Sequence, residues 1–410
     1  MELTEARQLA WELVAPKGVE WVSLPEALGR VLAEPLVAGW NIPAESRSRM
    51  DGFAFRSADS TDAEAEHPVR LQITRGVAKA GHPTTISVAP GESLQILTGA
   101  PLPLNADSVA PKEDVSEQEG HLVLTQSFPP GQHVTSPGDD IRSGEKLFSA
   151  GTLLTATRVA LAAALGCAWL PLYRRPRVAL LATGDEVIEL GERFQGPSTY
   201  CNNRHLLAAL VRLQGGHPIH LGVARDDPRA IVDRLAAAQA DLVITTGGVG
   251  GGDRDFVWQA WRTLGIKSYF NEINLSPGRN SALGIRGETI FVGLPGTPWS
   301  AQVVFTEIVA PMLRRWQGLH LDEPVSWPAL LSERLKKRPG YYRAVRGQLA
   351  LQEGRLSFAP RRSKTEGLFA QMHSTSAYAV LAPDVRETAA GTLVETRCHD
   401  LPLLALPLFA

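Results

Sequence analysis

Cysteine is scarce in this sequence. The chain of 410 residues has three, Cys167, Cys201 and Cys398, which lie far apart and show no zinc-ligand spacing with each other or with histidine. This excludes a disulfide framework and a cysteine-based zinc site. No run approaches the roughly 18–20 uncharged apolar residues of a membrane span, and no basic segment followed by an apolar one opens the chain. We therefore expect a soluble cytoplasmic protein that does not bind membranes.

An excess of charge of one sign is also absent. Lys plus Arg is 41 and Asp plus Glu is 43, so the formal net charge is −2, which excludes a globally basic protein that binds nucleic acid. Hydrophobic residues make up 44% and charged residues 20%, a composition typical of folded chains. At about 100–200 residues per domain, the length predicts two to four domains.

The first part of the chain mixes two periodicities. Helical apolar spacing or a capping box occurs in three segments: residues 3–14, 24–33 and 155–166. Short alternating segments between glycine and proline occur at residues 69–75, 84–88 and 121–126. We therefore predict a helical N-terminal domain (1–50 plus 138–173) that is interrupted by a β-rich insertion (51–137).

From about residue 174, apolar strands alternate with helices. The predicted strands are 178–183, 218–223, 242–246 and 289–292, and the predicted helices are 203–213, 228–238, 256–264 and 298–316. Such alternation predicts a doubly wound α/β domain with a parallel sheet over 174–322. Short strands after it indicate a small C-terminal β-barrel or sandwich over 323–410, and we adopt the barrel.

Three of the predicted strand ends carry glycine and polar residues, at residues 183–186, 246–255 and 293–298. Open α/β sheets bind ligands at the carboxyl ends of their strands. The glycine-dense middle segment could cradle phosphate with its backbone N–H groups, although it lacks the Gly-Lys-Ser/Thr of a P-loop. One such segment alone is more often a tight turn, but three together favour a ligand site.

Acidic residues recur beside these glycines and others, at Asp51, Asp140, Glu186 and Asp255. Carboxylates next to flexible backbone suit Mg²⁺, which also neutralises the charge of phosphate groups. Each of these acidic residues could instead simply form a turn with its glycine, and Asp226 could cap a helix. As a set they favour a metal–phosphate site. A hydrolase triad has little support, because the chain has no Gly-x-Ser-x-Gly elbow.

Several longer strings then occur in order along the chain. They include Ser48-Arg-Met-Asp-Gly-Phe-Ala54, Leu97-Thr-Gly-Ala100, Gly138-Asp-Asp140, Thr183-Gly-Asp-Glu186, Thr246-Gly-Gly-Val249 with Asp253-Arg-Asp255, Ser276-Pro-Gly-Arg279 and Gly293-Leu-Pro-Gly-Thr-Pro298. Together they resemble the molybdopterin molybdenumtransferase family, which includes MoeA and the gephyrin E domain.

This resemblance implies an elongated homodimer of four-part subunits, with the cleft between the α/β domain of one subunit and the N-terminal parts of the other. It implies insertion of molybdate into adenylylated molybdopterin, with release of AMP, in a Mg²⁺-dependent step. It also allows other proteins of molybdenum-cofactor biosynthesis to dock on the dimer.

Carried over position by position, the resemblance implies five catalytic residues: Asp51, Asp140, Glu186, Asp226 and Asp255. Of these, Glu186, Asp226 and Asp255 would hold Mg²⁺. The substrate-binding residues would be Thr98, Thr183, Gly184, Asp185, Gly247, Gly248, Val249, Asp253, Ser276, Pro277, Gly278, Arg279, Pro295, Gly296 and Arg343.

The chain departs from the family pattern at several places, and two of them bear most on the reaction. Ser276 and Arg279 stand where the family usually has lysines, and Glu366 lies where a serine and a glycine are expected. These changes motivate an alternative function, a non-catalytic molybdopterin-binding or carrier paralogue of the same fold. A third hypothesis is a nucleotide pyrophosphatase or amidase like the competence-damage-inducible proteins, but that family lacks the strings around Asp51 and Asp140.

Overall fold

A computed structural model describes residues 1–83, 85–248, 256–361 and 367–403. The chain divides into two compact units. The larger unit holds Met1–Glu34, Ala150–Ala163 and the chain from Cys167 onwards, and the smaller unit holds Pro35–Ser149 with Ala164–Gly166. No helix in the described ranges is both long and apolar enough to cross a membrane.

Before residue 174 the chain forms helices and short strands. The helices are α1 (Leu3–Glu12) and α2 (Ala156–Ala164); the strands are β1 (Val19–Ser23), β2 (Leu36–Val37), β3 (Arg47–Ser48), β4 (Gly52–Phe55), β5 (Val69–Ala78), β6 (Glu92–Ile96), β7 (Ser108–Pro111), β8 (Ser116–Gln118), β9 (His121–Leu124), β10 (Val134–Thr135), β11 (Lys146–Phe148) and β12 (Trp169–Tyr173). In the smaller unit, six strands form one sheet in the order β7-β4-β6-β5-β9-β8, beside the ribbons β3–β10 and β2–β11. In the larger unit, β1 and β12 form an antiparallel ribbon.

Two predictions for this part are wrong. The predicted helix over 24–33 is a single 3₁₀ turn, Leu24–Glu26, because Val31 and Leu32 form β-bridges with Leu153 and Leu172. Tertiary pairing here overrides a local helix signal. The predicted strand over 84–88 is, where described, one bridge of Ser87, and Thr84 lies outside the described residues. The helices over 3–14 and 155–166 are confirmed as α1 and α2.

The α/β part alternates strands and helices as predicted. Its strands are β13 (Arg177–Thr183), β14 (Val187–Ile188), β15 (Thr199–Tyr200), β16 (His217–Ala224), β17 (Leu242–Thr246), β18 (Lys267–Phe270), β19 (Leu275–Ser276), β20 (Ala282–Arg286) and β21 (Thr289–Leu294); its helices are α3 (Asn202–Leu213), α4 (Pro228–Ala236), α5 (Phe256–Thr263), α6 (Pro298–Val304) and α7 (Ala310–Trp316), and a π-turn (Phe305–Val309) joins the last two. The central sheet has the order β16-β13-β17-β21-β20-β18. The first four strands are parallel, while β20 and β18 are antiparallel additions that the alternation did not predict.

The sheet is covered on both faces, as a doubly wound fold requires. Val178 and Leu180 of β13 pack into one core with α3, α6 and α7, whereas Ala179 and Leu181 pack into another with α4 and α5. Successive side chains of a strand point to opposite faces, so a strand buried on both sides is apolar throughout. This explains why the strand sequences read as continuous apolar runs.

The C-terminal part is a small closed barrel. Its elements are β22 (Trp327–Leu331), β23 (Leu335–Lys336), β24 (Tyr342–Gln352), β25 (Arg355–Pro360), α8 (Leu368–His373), β26 (Ala377–Leu381), β27 (Glu387–Thr388) and β28 (Leu393–Cys398). The strand order β24-β25-β22-β28-β26 returns to β24 and closes the barrel. Strand β19 of the α/β part adds to β24 in parallel.

Candidate active site

The carboxyl ends of β13, β16, β17 and β21 meet at one edge of the central sheet. Here the Thr183 hydroxyl donates to the carbonyl of Thr246 (3.4 Å), and the backbone N–H of Asp226 donates to Asp185 Oδ1 (3.2 Å). A cavity of about 330 Å³ opens at this edge, lined by residues that include Thr183, Glu186, Asn203, Thr246, Gly247 and Gly296. We call it the strand-exit cavity.

Two glycines at this edge have a backbone conformation that disfavours any other residue. Gly247 has φ +92°, and a Cβ there would lie 2.8 Å from the carbonyl oxygen of Thr183. At Gly184 (φ +139°), a Cβ would lie 2.8 Å from both carboxylate oxygens of Glu186. Both positions therefore have a conformation that favours glycine, and at Gly247 the close neighbour is backbone, so only glycine allows that approach. The Glu186 carboxylate is folded back over the end of β13.

Asn203 holds this edge together, and the sequence analysis missed it. Its Nδ2 donates to Thr246 Oγ1 (2.9 Å) and to the carbonyl of Gly296 (2.6 Å), so one buried amide joins the ends of β17 and β21. The only signal in the sequence is a polar residue at the start of a helix that faces an apolar sheet.

The donors at the strand ends fit Mg²⁺. Glu186 and Asp226 follow neighbouring strands and offer the carboxylate oxygens that this ion prefers. Among the described residues no three His, Cys, Asp or Glu side chains are grouped to hold a metal, and Asp255 lies outside those residues, as do Val249 and Asp253. Magnesium commonly takes one or two protein carboxylates and completes its shell with water and substrate phosphates.

A second cavity, of about 720 Å³, lies between the α/β part and the barrel. The pairing of β19 with β24 places Ser276 opposite Arg343, so the structure brings together two predicted binding residues that are distant in sequence. Pro277 and Trp299 line the same cavity. We call it the cation cavity, because its wall also includes Lys336, Lys337, Arg338, Arg343, Arg346 and Arg361.

The predicted residues of the 276–279 loop lie between two cavities. Ser276 and Pro277 line both the cation cavity and an adjoining one of about 470 Å³, whereas Gly278 and Arg279 line only the adjoining one. The Arg279 guanidinium is paired with the Glu272 carboxylate, with Nη2 2.9 Å and Nε 3.1 Å from Oε2.

Three predicted residues, Asp51, Thr98 and Asp140, belong to the smaller unit. Asp51 Oδ1 accepts hydrogen bonds from the Thr98 hydroxyl (2.6 Å) and backbone N–H (2.7 Å). The bond from the hydroxyl, with that from the backbone, lowers the pKa of Asp51 below its usual value. The side chain of Asp140 is exposed, and its backbone N–H donates to the carbonyl of Ile42 (3.0 Å).

Comparison with known proteins accounts for this arrangement. Residues 1–166 match the family model described as the MoeA N-terminal region (domain I and II), residues 179–315 match a probable molybdopterin binding domain, and residues 328–396 match the MoeA C-terminal region (domain IV). A relative from Nostoc sp. named molybdopterin molybdenumtransferase is 33% identical over 90% of this chain and 86% of its own. The chain belongs to the molybdopterin molybdenumtransferase family.

Other members of the molybdopterin molybdenumtransferase family extend the match. The relative of that name from Bacillus subtilis is 30% identical, over 92% of this chain and 89% of its own. The crystal structure of a molybdopterin biosynthesis MoeA protein from Pyrococcus horikoshii is similar, with a TM-score of 0.88 at 27% identity over 97% of this chain and 99% of that one. The family resemblance and the predicted architecture are therefore confirmed, including the C-terminal barrel.

The family models also align with the two cavities. The model of the molybdopterin binding domain ends at residue 315, and it covers all strand ends that surround the strand-exit cavity. The cation cavity takes its wall from that match and from the match to domain IV, which begins at residue 328.

Proposed function

We propose that this protein inserts molybdate into adenylylated molybdopterin, releases AMP and molybdenum cofactor, and requires Mg²⁺. The observation that carries this proposal is the adjacency of the two cavities. Pro298 lines the strand-exit cavity and the next residue, Trp299, lines the cation cavity. One cavity suits an organic substrate with phosphates, and the other suits an oxyanion.

In the strand-exit cavity, the protein would hold the pterin substrate. Backbone N–H groups near Gly247 can donate to phosphate oxygens, and Asn203 keeps the ends of β17 and β21 in place. Bound by Glu186, Asp226 and Asp255, Mg²⁺ would supply positive charge to the phosphates. The role of Glu186 and Asp226 is to orient that ion beside the substrate.

In the cation cavity, the protein would hold molybdate. The ion is a dianion, and guanidinium groups bind oxyanions through paired N–H donors. Arg343 and the Ser276 hydroxyl lie opposite each other on paired strands, so they can contact one anion together. We also propose that the protein works as a homodimer, which light scattering of the purified chain would measure.

The test is AMP release by purified protein with Mg²⁺, molybdate and adenylylated molybdopterin, followed by chromatography. Glu186→Gln and Asp226→Asn should each lower the rate about 100-fold or more, because they remove a metal ligand. The matched control is Asp233→Asn, on the exposed face of α4, which should keep the rate. A wild-type protein that releases no AMP at saturating ligand contradicts the proposal.

A second candidate function is that of a pterin-binding carrier without catalysis. The observation that favours it is at the 276–279 loop, where a hydroxyl and an ion-paired arginine face the cavities. It predicts binding of molybdopterin without AMP release, and the same assay distinguishes the two.

A further inference from the structure

The mouth of the strand-exit cavity carries two aromatic rings that the fold leaves in contact with solvent. Tyr200 and Phe369 both line the cavity, and they are 39% and 59% exposed. A single exposed aromatic residue is common on protein surfaces, but here Val187 and Leu368 line the same cavity beside the two rings. Exposed apolar side chains that share one concave site are typical of a ligand-binding groove.

The Tyr200 ring is held in place by the segment that precedes it. Its hydroxyl donates to the carbonyl of Glu192 (3.1 Å), and its centroid lies 5.9 Å from that of Phe194. The pairing of β14 with β15 closes this segment, and Glu189 within it is ion-paired with the buried Arg204. The ring therefore has a defined position at the end of β15.

The Phe369 ring comes from the C-terminal barrel. It lies in α8, where Leu368 and Met372 pack against the core that the central sheet shares with α3, α6 and α7. Helix α8 is thus anchored on the α/β part although it belongs to the barrel in sequence. This packing holds Phe369 at the cavity while more than half of the residue stays exposed.

Polar groups lie next to the rings at the same mouth. Thr199 and Asn202, on either side of Tyr200 in sequence, also line the cavity. Their hydroxyl and amide groups can bond to the edge of a ligand whose face lies on an aromatic ring. The combination suits a planar nitrogen heterocycle, which has apolar faces and polar edges.

We propose that Tyr200 and Phe369 hold a planar fused-ring heterocycle of the substrate by stacking, so that α8 of the barrel takes part in selecting the ligand of the α/β part. The substrate named under the proposed function, on which this inference rests, has two such rings, the purine and the pterin. Stacking recognises the flat face that both rings share.

The test is calorimetric titration of the purified full-length chain with three probes. AMP carries a purine, biopterin carries a pterin, and ribose phosphate has the sugar and phosphate of AMP without a ring. Phe369→Ala and Tyr200→Ala should each weaken binding of the same ring-bearing probe about tenfold, as expected for the loss of one stacking partner. The affinity for ribose phosphate should not change, whereas a merely structural defect would weaken all three probes.

Three further variants control for the chemistry of the rings. Phe369→Trp and Tyr200→Phe keep an aromatic face and should bind the ring-bearing probes within about threefold of wild type. The matched control is Leu393→Ala, in the same barrel and 63% exposed, which does not line the cavity. It should bind every probe within about twofold of wild type.

The two ring-bearing probes identify which ring is held. A loss confined to AMP assigns the mouth to the purine, and a loss confined to biopterin assigns it to the pterin. The proposal is overturned if only one of the two alanine variants loses affinity, if neither does, or if the wild type binds neither ring-bearing probe at millimolar concentration.

Failure of this inference and failure of the proposed function are distinguishable. If the wild type releases AMP and Phe369→Ala does so with an unchanged Michaelis constant for the pterin substrate, the reaction stands and the stacking role is wrong. If the probes bind through both rings but the wild type releases no AMP, the stacking role stands and the reaction is wrong.

Discussion

The two cavities of the larger unit are lined by different kinds of chemical groups. The strand-exit cavity is made of strand ends, glycine backbone and neutral hydrogen bonds such as those of Asn203. The cation cavity is made of long charged side chains supported by buried rings and ions. Backbone geometry selects a ligand by shape, whereas cationic side chains select it mainly by charge.

The supports behind the two cavities differ as well. Below the cation cavity, the Tyr378 hydroxyl donates to Glu307 Oε1 (2.7 Å), and Arg397 Nε lies 3.2 Å from the same oxygen. Arg7 of α1 is ion-paired with Glu307 too. Burial raises the pKa of Glu307, but Arg397, Arg7 and Tyr378 more than offset this and lower it. A buried carboxylate thus links α1, the π-turn and the barrel.

Replacing that carboxylate has the largest expected effect. Glu307→Ala removes the ion pair of the largely buried Arg7 and leaves the buried Arg397 only its contact with the exposed Glu395 (3.6 Å). The free energy of unfolding should therefore fall by about 3–5 kcal/mol in urea titrations. Molybdate binding should weaken more than pterin binding. The control is Glu288→Ala: this carboxylate is 90% exposed and pairs with Lys17, so its loss should cost about 0–1 kcal/mol. An equal loss of unfolding free energy in Glu307→Ala and Glu288→Ala contradicts the expected difference between a buried and an exposed ion pair.

Acid should also weaken the packing below the cation cavity, where His399 packs against Trp299. Burial, together with Arg346, lowers the pKa of His399 to about 4. Its pKa in the folded protein lies below that in the unfolded chain, so stability should be full above pH 6.5 and fall as the pH drops towards 4, by up to about 3 kcal/mol. Urea unfolding across this pH range measures the slope of the unfolding free energy against pH. His399→Gln should flatten it, while the exposed His373→Gln should not; a slope unchanged in His399→Gln contradicts the assignment.

The smallest loss of stability is expected at the strand-exit cavity. A substitution there should weaken binding of the pterin substrate more than binding of molybdate. Asn203→Leu removes two buried hydrogen bonds and should cost about 2 kcal/mol of stability. The Michaelis constant for the pterin substrate should rise about tenfold, and molybdate binding should be unchanged. His205→Leu, at an exposed position of the same helix that does not line the cavity, should have a smaller effect. A parallel loss of molybdate affinity in Asn203→Leu would show that the cavities do not act separately.

Local patterns were sufficient for much of the fold. Residues 178–182 of β13 are apolar throughout because the sheet is covered on both faces, and that pattern survives in the sequence. The helix predicted over 24–33 is wrong because Val31 and Leu32 pair with distant residues, which no local signal reveals. The antiparallel strands β18 and β20 were missed although β20 pairs with the adjacent β21, because the alternation of strands and helices predicts only a parallel sheet.

The residues of the candidate site also divide into those that a local pattern reveals and those that it does not. The glycine and carboxylate segments at the ends of β13 and β17 were readable, because a parallel sheet brings consecutive strand ends to one edge. Asn203 was missed, since its importance lies in the two partners that it joins. Trp299 and Arg346 were also missed, because they approach one another only after the barrel packs on the α/β part.

The sequence by itself determined the alternation of strands and helices, the family, and the strand ends that surround the first cavity, since these depend on residues close together in the chain. Only the tertiary structure decided where the charge of the second cavity comes from. The pairing of β19 with β24 joins segments that are more than sixty residues apart, and the burial of Trp299 and Glu307 depends on that packing. Charge that acts through space depends on distances that a linear sequence does not contain.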